Sequence, residues 1–438
     1  MVSPQRRAEI LDALRRGTVP AHSLDAFAVG LERFERALDE ELKAAAARRG
    51  QFKAVRGDYG CGKTFLARWL EERARKAGFA SAEVQISETE TPLHRIETVY
   101  RRLMESLATS EEPRGAFRAI VDGWFYRLEE DVLASGEVEG NDADALLRRT
   151  GELMEQRLQP IAARAPLFAA ALRTYREALA SNDTPVAEGL IAWISGQPNV
   201  AAHAKRQAGI KGEIDHFGAA SFLEGLLLVL RDAGFPGLLL VLDEVETLQR
   251  VRSDVRDKGL NALRQLLDDI DAGRFPGLYL VITGTPAFFD GPQGIQRLAP
   301  LAQRLHTDFD TDPKFDNPRS PQIRLRPFDF DSLVAVGRRV RELYAAGSSA
   351  GERVLRLVDD SYLEELARAV SGKLGGKVGV APRIFLKKLV GDVLDRVDQF
   401  EDFDPRRDYR LTLRREELSE VERNLSPAEN VDQIELDL

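Results

Sequence analysis

Apolar residues recur along this 438-residue chain with two spacings, and the switches between them outline its organisation. The first fifty residues follow a helical period, with Ile10, Leu11 and Leu14 on one face and Phe27, Leu31, Phe34 and Leu38 on another. Gly17-Thr18-Val19-Pro20 breaks the two helices apart. Gln51–Val55 then reads as a short strand, Thr64–Leu70 as a helix and Ala82–Ile86 as a second strand. Pro92 is placed to open the next helix, whose apolar face is Ile96, Val99, Tyr100 and Leu103. From Glu112 to Lys211 the pattern is helical only, with Phe117, Ile120, Val121, Trp124 and Phe125, then Leu167, Leu172 and Tyr175. Turn signals stand at Gly140-Asn141 and Ser181-Asn182-Asp183, and Trp193–Pro198 reads as a helix end.

The alternation of helix and strand returns with a helix near Ala219–Ala233, the strand Leu238–Leu242, a helix over about Val255–Ala272 and the strand Leu278–Ile282. Unbroken apolar runs of this kind predict strands buried on both faces of a parallel sheet. Thr307–Pro321 is polar and predicts a loop, Gln322–Leu325 an edge strand, and 328–396 three helices. The expected fold is therefore α/β: a phosphate-loop parallel-sheet core with a large helical insertion and a C-terminal helical lid. Its expected divisions are a helical segment 1–50, the core 51–327 with the insertion at about 110–215, the lid 328–396 and an acidic tail 397–438. The tail holds no basic residue after Arg423.

Composition narrows the function. The net charge of −9 excludes a global attraction to nucleic acid or anionic membrane, so a DNA contact needs a local basic patch. No apolar run reaches membrane-span length, no signal-peptide core follows Met1, and the expected location is the cytoplasm. A lone cysteine, Cys61, excludes an intramolecular disulfide or a cysteine zinc site, and the five histidines are scattered.

The chemistry is concentrated in Gly57-Asp58-Tyr59-Gly60-Cys61-Gly62-Lys63-Thr64, with Phe65 behind it. The spacing is G-x-x-x-x-G-K-[ST], between a strand and a helix. Its glycines let backbone N–H groups turn inward around phosphate oxygens, and the helix N-terminus adds partial positive charge. Lys63 sets a compact charge against the β- and γ-phosphates of ATP, and Thr64 offers a hydroxyl to Mg²⁺. Cys61 sits where a thiolate is favoured, but a small side chain tolerated at a free position explains it better.

Asp243-Glu244 closes the most apolar strand, and a carboxylate there lies beside the phosphate loop if the two strands are sheet neighbours. Asp243 would hold Mg²⁺ through water and Glu244 would orient and deprotonate the attacking water. Thr283 or Thr285, at the end of the next strand, could sense the nucleotide, or the stretch could be a plain strand-to-turn transition. Arg304 and Arg383 each could complete a γ-phosphate site, or be two among many surface arginines. Arg250, Arg252, Arg256, Lys258 and Arg264 are interrupted by aspartates and read as a solvated mixed-charge helix face.

Together these pieces resemble an AAA+ ATPase core: Walker A at Gly57–Thr64, Walker B at Leu239–Glu244, a sensor-1 strand at Ile282-Thr283, Arg304 as arginine-finger candidate and Arg383 as sensor-2 candidate. The likeness covers 51–108, 218–327 and the lid. With the stretch Leu14–Pro20 before the loop, Gly225–Gly237 and the box Asp243-Glu244-Val245-Glu246, the chain resembles the ATP-binding proteins of bacterial phage-exclusion (BREX) systems, BrxD-like proteins in particular. That resemblance implies ATP and Mg²⁺ as cofactors, a helicase as partner, DNA reached directly or through it, a homo-oligomer, and no membrane. A different class of function is a slow-turnover nucleotide-gated switch that recruits a partner. A kinase lacks a marked acceptor pocket, and a GTPase lacks its N-K-x-D box.

Overall fold

Five strands carry the sheet: β1 (Gln51–Arg56), β2 (Ala80–Gln85), β3 (Leu238–Asp243), β4 (Leu278–Gly284) and β5 (Gln322–Arg324). They are hydrogen-bonded in the order β2-β3-β4-β1-β5. β2, β3 and β4 run parallel, in a register that sets Gln85 beside Asp243 and Leu242 beside Ile282. Every residue of β3 and β4 is buried, as their apolar runs require. The computed structural model describes residues 2–136, 138, 142–373 and 382–412. The Gly140-Asn141 turn and the tail beyond residue 412 lie outside the described residues.

Three expectations need correction. β3 is not the neighbour of β1, because β4 stands between them. A central position needs a strand apolar on both faces, which β4 is throughout and the polar β2, Ala80-Ser-Ala-Glu-Val-Gln85, is not. Pro92 does not open a helix. It sits in a turn closed by the Arg95 N–H on the Pro92 carbonyl at 2.9 Å, and the helix is Ile96–Ser106. The lid region holds more than three helices, since Asp359 accepts the Tyr362 N–H at 2.9 Å and starts a new one, Asp360–Lys373, after Gly351–Leu357.

The chain divides into two units. The larger is formed by Ala37–Ala54 and Arg73–Gln322. Its helical stretch comprises Phe117–Ala134, Ala143–Arg164, Pro166–Ala180, Thr184–Ile194 and Ala202–Gln207, followed by His216–Asp232. These share one continuous core with Leu238, Leu240 and Leu242 of β3. Phe222 joins the layers, its ring edge-on to Phe168 at 5.3 Å and to Trp193 at 5.4 Å. Two buried polar groups in it are paired: the Trp124 indole donates to Asp232 at 2.6 Å, and Glu224 meets Arg164 at 3.1 Å and Arg274 at 2.5 Å.

The smaller unit is formed by Met1–Arg36, Val55–Glu72 and Ile323–Leu438. It holds the Pro4–Arg16 helix, the Gly57–Thr64 loop with the first turns of the helix after it, and the helices from Phe330 onward. Pro382–Lys387 continues as a π-helical turn, Lys388–Leu394, and then as Asp395–Gln399.

One buried charge organises the interior of the larger unit. Lys53 on β1 is only 1% exposed. Its ammonium meets Glu41 at 2.6 Å and donates to the carbonyls of Ser320 at 2.6 Å and Pro318 at 3.2 Å. Glu41 also accepts the Tyr279 hydroxyl of β4, and burial raises its carboxyl above the ordinary range. The set ties a helix, two strands and the chain before β5 to one ammonium group. Removing one partner leaves the other buried without its countercharge, which typically costs about 3–5 kcal/mol. Lys53→Met is therefore expected to lower the urea unfolding midpoint, and Lys53→Met with Glu41→Leu to recover most of the loss. Equal midpoints for wild type and the single variant would contradict this.

Candidate functional site

β1 ends at Arg56, and the chain turns through Gly57–Gly62 before the helix begins at Lys63. The turn needs its glycines for two different reasons. Gly62 has φ +96°, where a side chain is strained. At Gly57 a Cβ would stand 2.4 Å from the Cys61 sulfur, so the loop closes on itself only because none is there. Cys61 is buried beneath it, and burial pushes its thiol up to about 11. Desolvation outweighs the helix N-terminus here, and the side chain is a neutral filler.

Lys63 is folded back on this loop. Its ammonium donates to the Gly57 carbonyl at 2.9 Å and the Asp58 carbonyl at 3.3 Å, and lies 5.2 Å from the centre of the Tyr59 ring. Phe65 turns instead toward Phe27, edge-on at 5.3 Å. The helix is strapped by residues 19–25, of which the sequence singled out only Val19 and Pro20, within Leu14–Pro20. Asp25 accepts the Trp69 indole N–H at 2.6 Å, Glu72 accepts the Leu24 N–H at 2.9 Å, and Arg68 donates to the Val19 carbonyl at 3.0 Å.

The carboxylates form a second constellation, in the larger unit, at the carboxyl ends of β2, β3 and β4. Asp243 is the last residue of β3 and is buried. Thr283, fully buried on β4, donates its hydroxyl to Asp243 Oδ1. The Thr283 hydroxyl oxygen in turn accepts the Glu244 backbone N–H at 3.1 Å. One hydroxyl therefore fixes both acidic residues. Glu244 sits at φ +60°, a left-handed conformation uncommon for a residue with a side chain. Its carboxylate accepts the Gln85 amide at 2.9 Å. Thr247 donates to its carbonyl at 3.0 Å.

Of the two threonines in question, Thr283 is the one joined to the acidic pair; Thr285 caps the Pro286–Asp290 helix by position, without a side-chain hydrogen bond. Gln85 was missed. The available signal was a polar residue ending the strand that pairs with β3, which only the register makes meaningful.

The two arginines stand in different units. Arg304 ends the Ala299–Arg304 helix and is ion-paired to Asp268 at 2.6 Å and Asp271 at 3.3 Å. Those carboxylates end the Ser253–Asp271 helix, where negative charge opposes the helix dipole and a guanidinium is favoured. Arg383 lies in the smaller unit, on the Pro382–Lys387 helix. Arg256 is not on a solvated face. It is buried and donates to the carbonyls of Leu248, Gln249 and Val251 at 3.1, 2.9 and 2.9 Å, closing the turn after Glu244. Arg252 and Arg264 are paired with Asp254 and Asp268.

Among the described residues, no group of three or more His, Cys, Asp or Glu could hold a metal by itself, and no helix is long and apolar enough to cross a membrane. Mg²⁺ does not need such a group: it keeps several waters, takes oxygens from substrate phosphates and is held by one or two protein ligands. No curated protein and no solved structure matches the chain. A family model, described as BREX system ATP-binding protein BrxC/D, matches residues 2–413. The chain belongs to the BrxC/D family of BREX system ATP-binding proteins.

Proposed function

We propose that this protein is a Mg²⁺-dependent ATPase built on an AAA+-like core, with a helical insertion at about 110–215 and a lid at 328–396. The observation that carries hydrolysis beyond binding is the double use of the Thr283 hydroxyl. It holds Asp243 and the backbone of Glu244 in one arrangement at the end of the sheet. A general base must be held within reach of its water, and a fixed backbone is the first requirement.

The roles follow from the side chains. Gly57–Thr64 would hold the phosphates with backbone N–H groups, and Lys63 would exchange its bonds to Gly57 and Asp58 for phosphate oxygens. Thr64 and Asp243 would hold Mg²⁺, which when bound supplies charge neutralisation along the phosphates. Glu244 would take the proton of the attacking water, and Thr283 would keep Asp243 and Glu244 aligned. In the BREX system we place this activity in the cytoplasm, beside a DNA-processing partner such as a helicase, with DNA met directly or through that partner.

A second reading has its own observation. The Glu244 carboxylate is engaged by Gln85, and a base held in this way turns over slowly until it is released. On that reading the protein is a nucleotide-gated switch that recruits its partner while ATP is bound.

Two experiments test these roles. Lys63→Ala is expected to abolish or severely weaken binding of a fluorescent ATP analogue. Glu244→Gln should bind it normally yet hydrolyse ATP on the order of a hundredfold or more slowly, since an amide accepts no proton. Wild-type turnover in Glu244→Gln would reduce that residue to a polar strand end.

A further experiment concerns Arg304, which can act on a neighbouring subunit only by leaving Asp268 and Asp271. A guanidinium supplied in trans is worth about 10³-fold or more in rate. Arg304→Ala should then lose turnover with ATP affinity kept, and mixing it with Lys63→Ala subunits should restore part of the activity. Normal turnover by Arg304→Ala, in a protein whose mass stays monomeric with ATP, would leave Arg304 as a helix-end ion pair and favour the switch.

A further inference from the structure

The Pro4–Arg16 helix is far in sequence from the lid helices, yet it meets them on both sides of the π-helical turn. Ahead of that turn, Arg383 runs along the end of the Pro4–Arg16 helix. A Cβ built on Gly17 would lie 3.5 Å from the Arg383 Nη1 and 3.5 Å from the Lys387 side chain. Gly17, at φ +71°, donates its N–H to the Leu14 carbonyl at 3.0 Å, and the Thr18 N–H closes on Ala13 at 2.9 Å. A helix C-terminus carries partial negative charge, so two cationic side chains are drawn to this end.

Beyond the turn, Asp395 receives a two-pronged bond from Arg15, at 2.7 Å from Nε and 2.9 Å from Nη2. The Tyr344 hydroxyl donates to the same carboxylate at 2.9 Å. The Asp395 bond raises the Arg15 guanidinium further above its ordinary range. Arg7 adds a bond to the Ala346 carbonyl at 3.0 Å. Planar bidentate pairing fixes orientation as well as distance. The helix that carries Arg383 is thus gripped at Asp395, twelve residues on, and lies against Gly17 at Arg383 itself. The segment between is a π-helical turn, a form of helix stable only where its surroundings impose it.

We infer that Arg15 is a positioning residue for Arg383: the Arg15–Asp395–Tyr344 clamp sets the rotation and height of the lid helix, and so the place of the Arg383 guanidinium. This rests on taking Arg383, the sensor-2 candidate of the AAA+ resemblance, as the lid residue that meets the nucleotide. Arg15 itself touches no nucleotide on this account. It acts through Asp395 and the π-helical turn.

The test uses the full chain and titration with a fluorescent ATP analogue, with the thermal midpoint of each variant recorded alongside. Arg383→Ala is expected to weaken binding about tenfold, the usual size of one lost charge-assisted bond. Arg15→Ala and Asp395→Asn should each weaken it about fivefold, and the Arg15→Ala/Arg383→Ala double variant should be no weaker than Arg383→Ala alone. Asp395→Asn keeps the volume of the side chain and carries the test if Arg15→Ala does not fold. If Arg383→Ala is weak while Arg15→Ala and Asp395→Asn bind like the wild type, the inference is wrong and the reading of Arg383 stands. If the double variant loses both effects in full, Arg15 acts only on general stability, and the inference is again wrong. Wild-type binding by Arg383→Ala would overturn the reading of Arg383 together with the inference.

Discussion

A single buried hydroxyl, that of Thr283, is the contact on which the carboxylate end of this protein depends. It donates to Asp243 and accepts from the Glu244 N–H, so β3 and β4 are joined side chain to side chain where their backbone pairing runs out. Without it, two acidic residues next to each other in sequence would repel across a strand end with nothing to set their directions. With it, Asp243 stays buried while the chain turns left-handed at Glu244 and presents that side chain to Gln85. The arrangement is possible because β4 lies next to β3. The same insertion of β4 displaces β3 from the neighbour position that the sequence reading assigned to it.

Around this contact the sheet is held by features that do no chemistry. Lys53 carries a charge through the interior of the larger unit; its ligands come from a helix and the chain before β5, and Tyr279 of β4 is joined to it through Glu41. Arg256 closes the turn after Glu244 with three carbonyls. Both are basic residues whose positive charge is consumed internally. A count of charges along the sequence therefore overstates the basic surface available to nucleic acid.

The strand–loop–helix around Gly57–Thr64 and the acidic end of β3 were legible in the sequence because each is a local pattern. Gly57, Gly62 and Lys63 stand where that pattern requires, and the unbroken apolar runs of β3 and β4 did predict fully buried strands. What was not legible depends on register and on long-range pairing. Gln85 gains meaning only because parallel pairing sets it beside Asp243. Asp25 and Glu72 bind the phosphate-loop helix to a segment some forty residues earlier, and no periodicity marks such a strap. Pro92 misled for a physical reason: proline suits a tight turn as well as a helix start, and here the turn prevailed. Arg304 read equally as a γ-phosphate residue or as a surface arginine, and its ion pairs to Asp268 and Asp271 at the end of the Ser253–Asp271 helix have no sequence signal.

The most direct measurement is single-turnover ATP hydrolysis by Thr283→Val and Thr283→Ser, with analogue binding recorded for both. Valine keeps the shape of the buried side chain and removes the hydroxyl, whereas serine keeps the hydroxyl. If that oxygen aligns Asp243 and Glu244, the valine variant binds nucleotide and hydrolyses it about 10- to 100-fold more slowly, the usual loss when a supporting hydrogen bond at a metal-assisted site is removed. The serine variant then stays close to the wild type. Equal single-turnover rates for valine, serine and wild type would contradict the account and leave Thr283 as a strand residue like its neighbours.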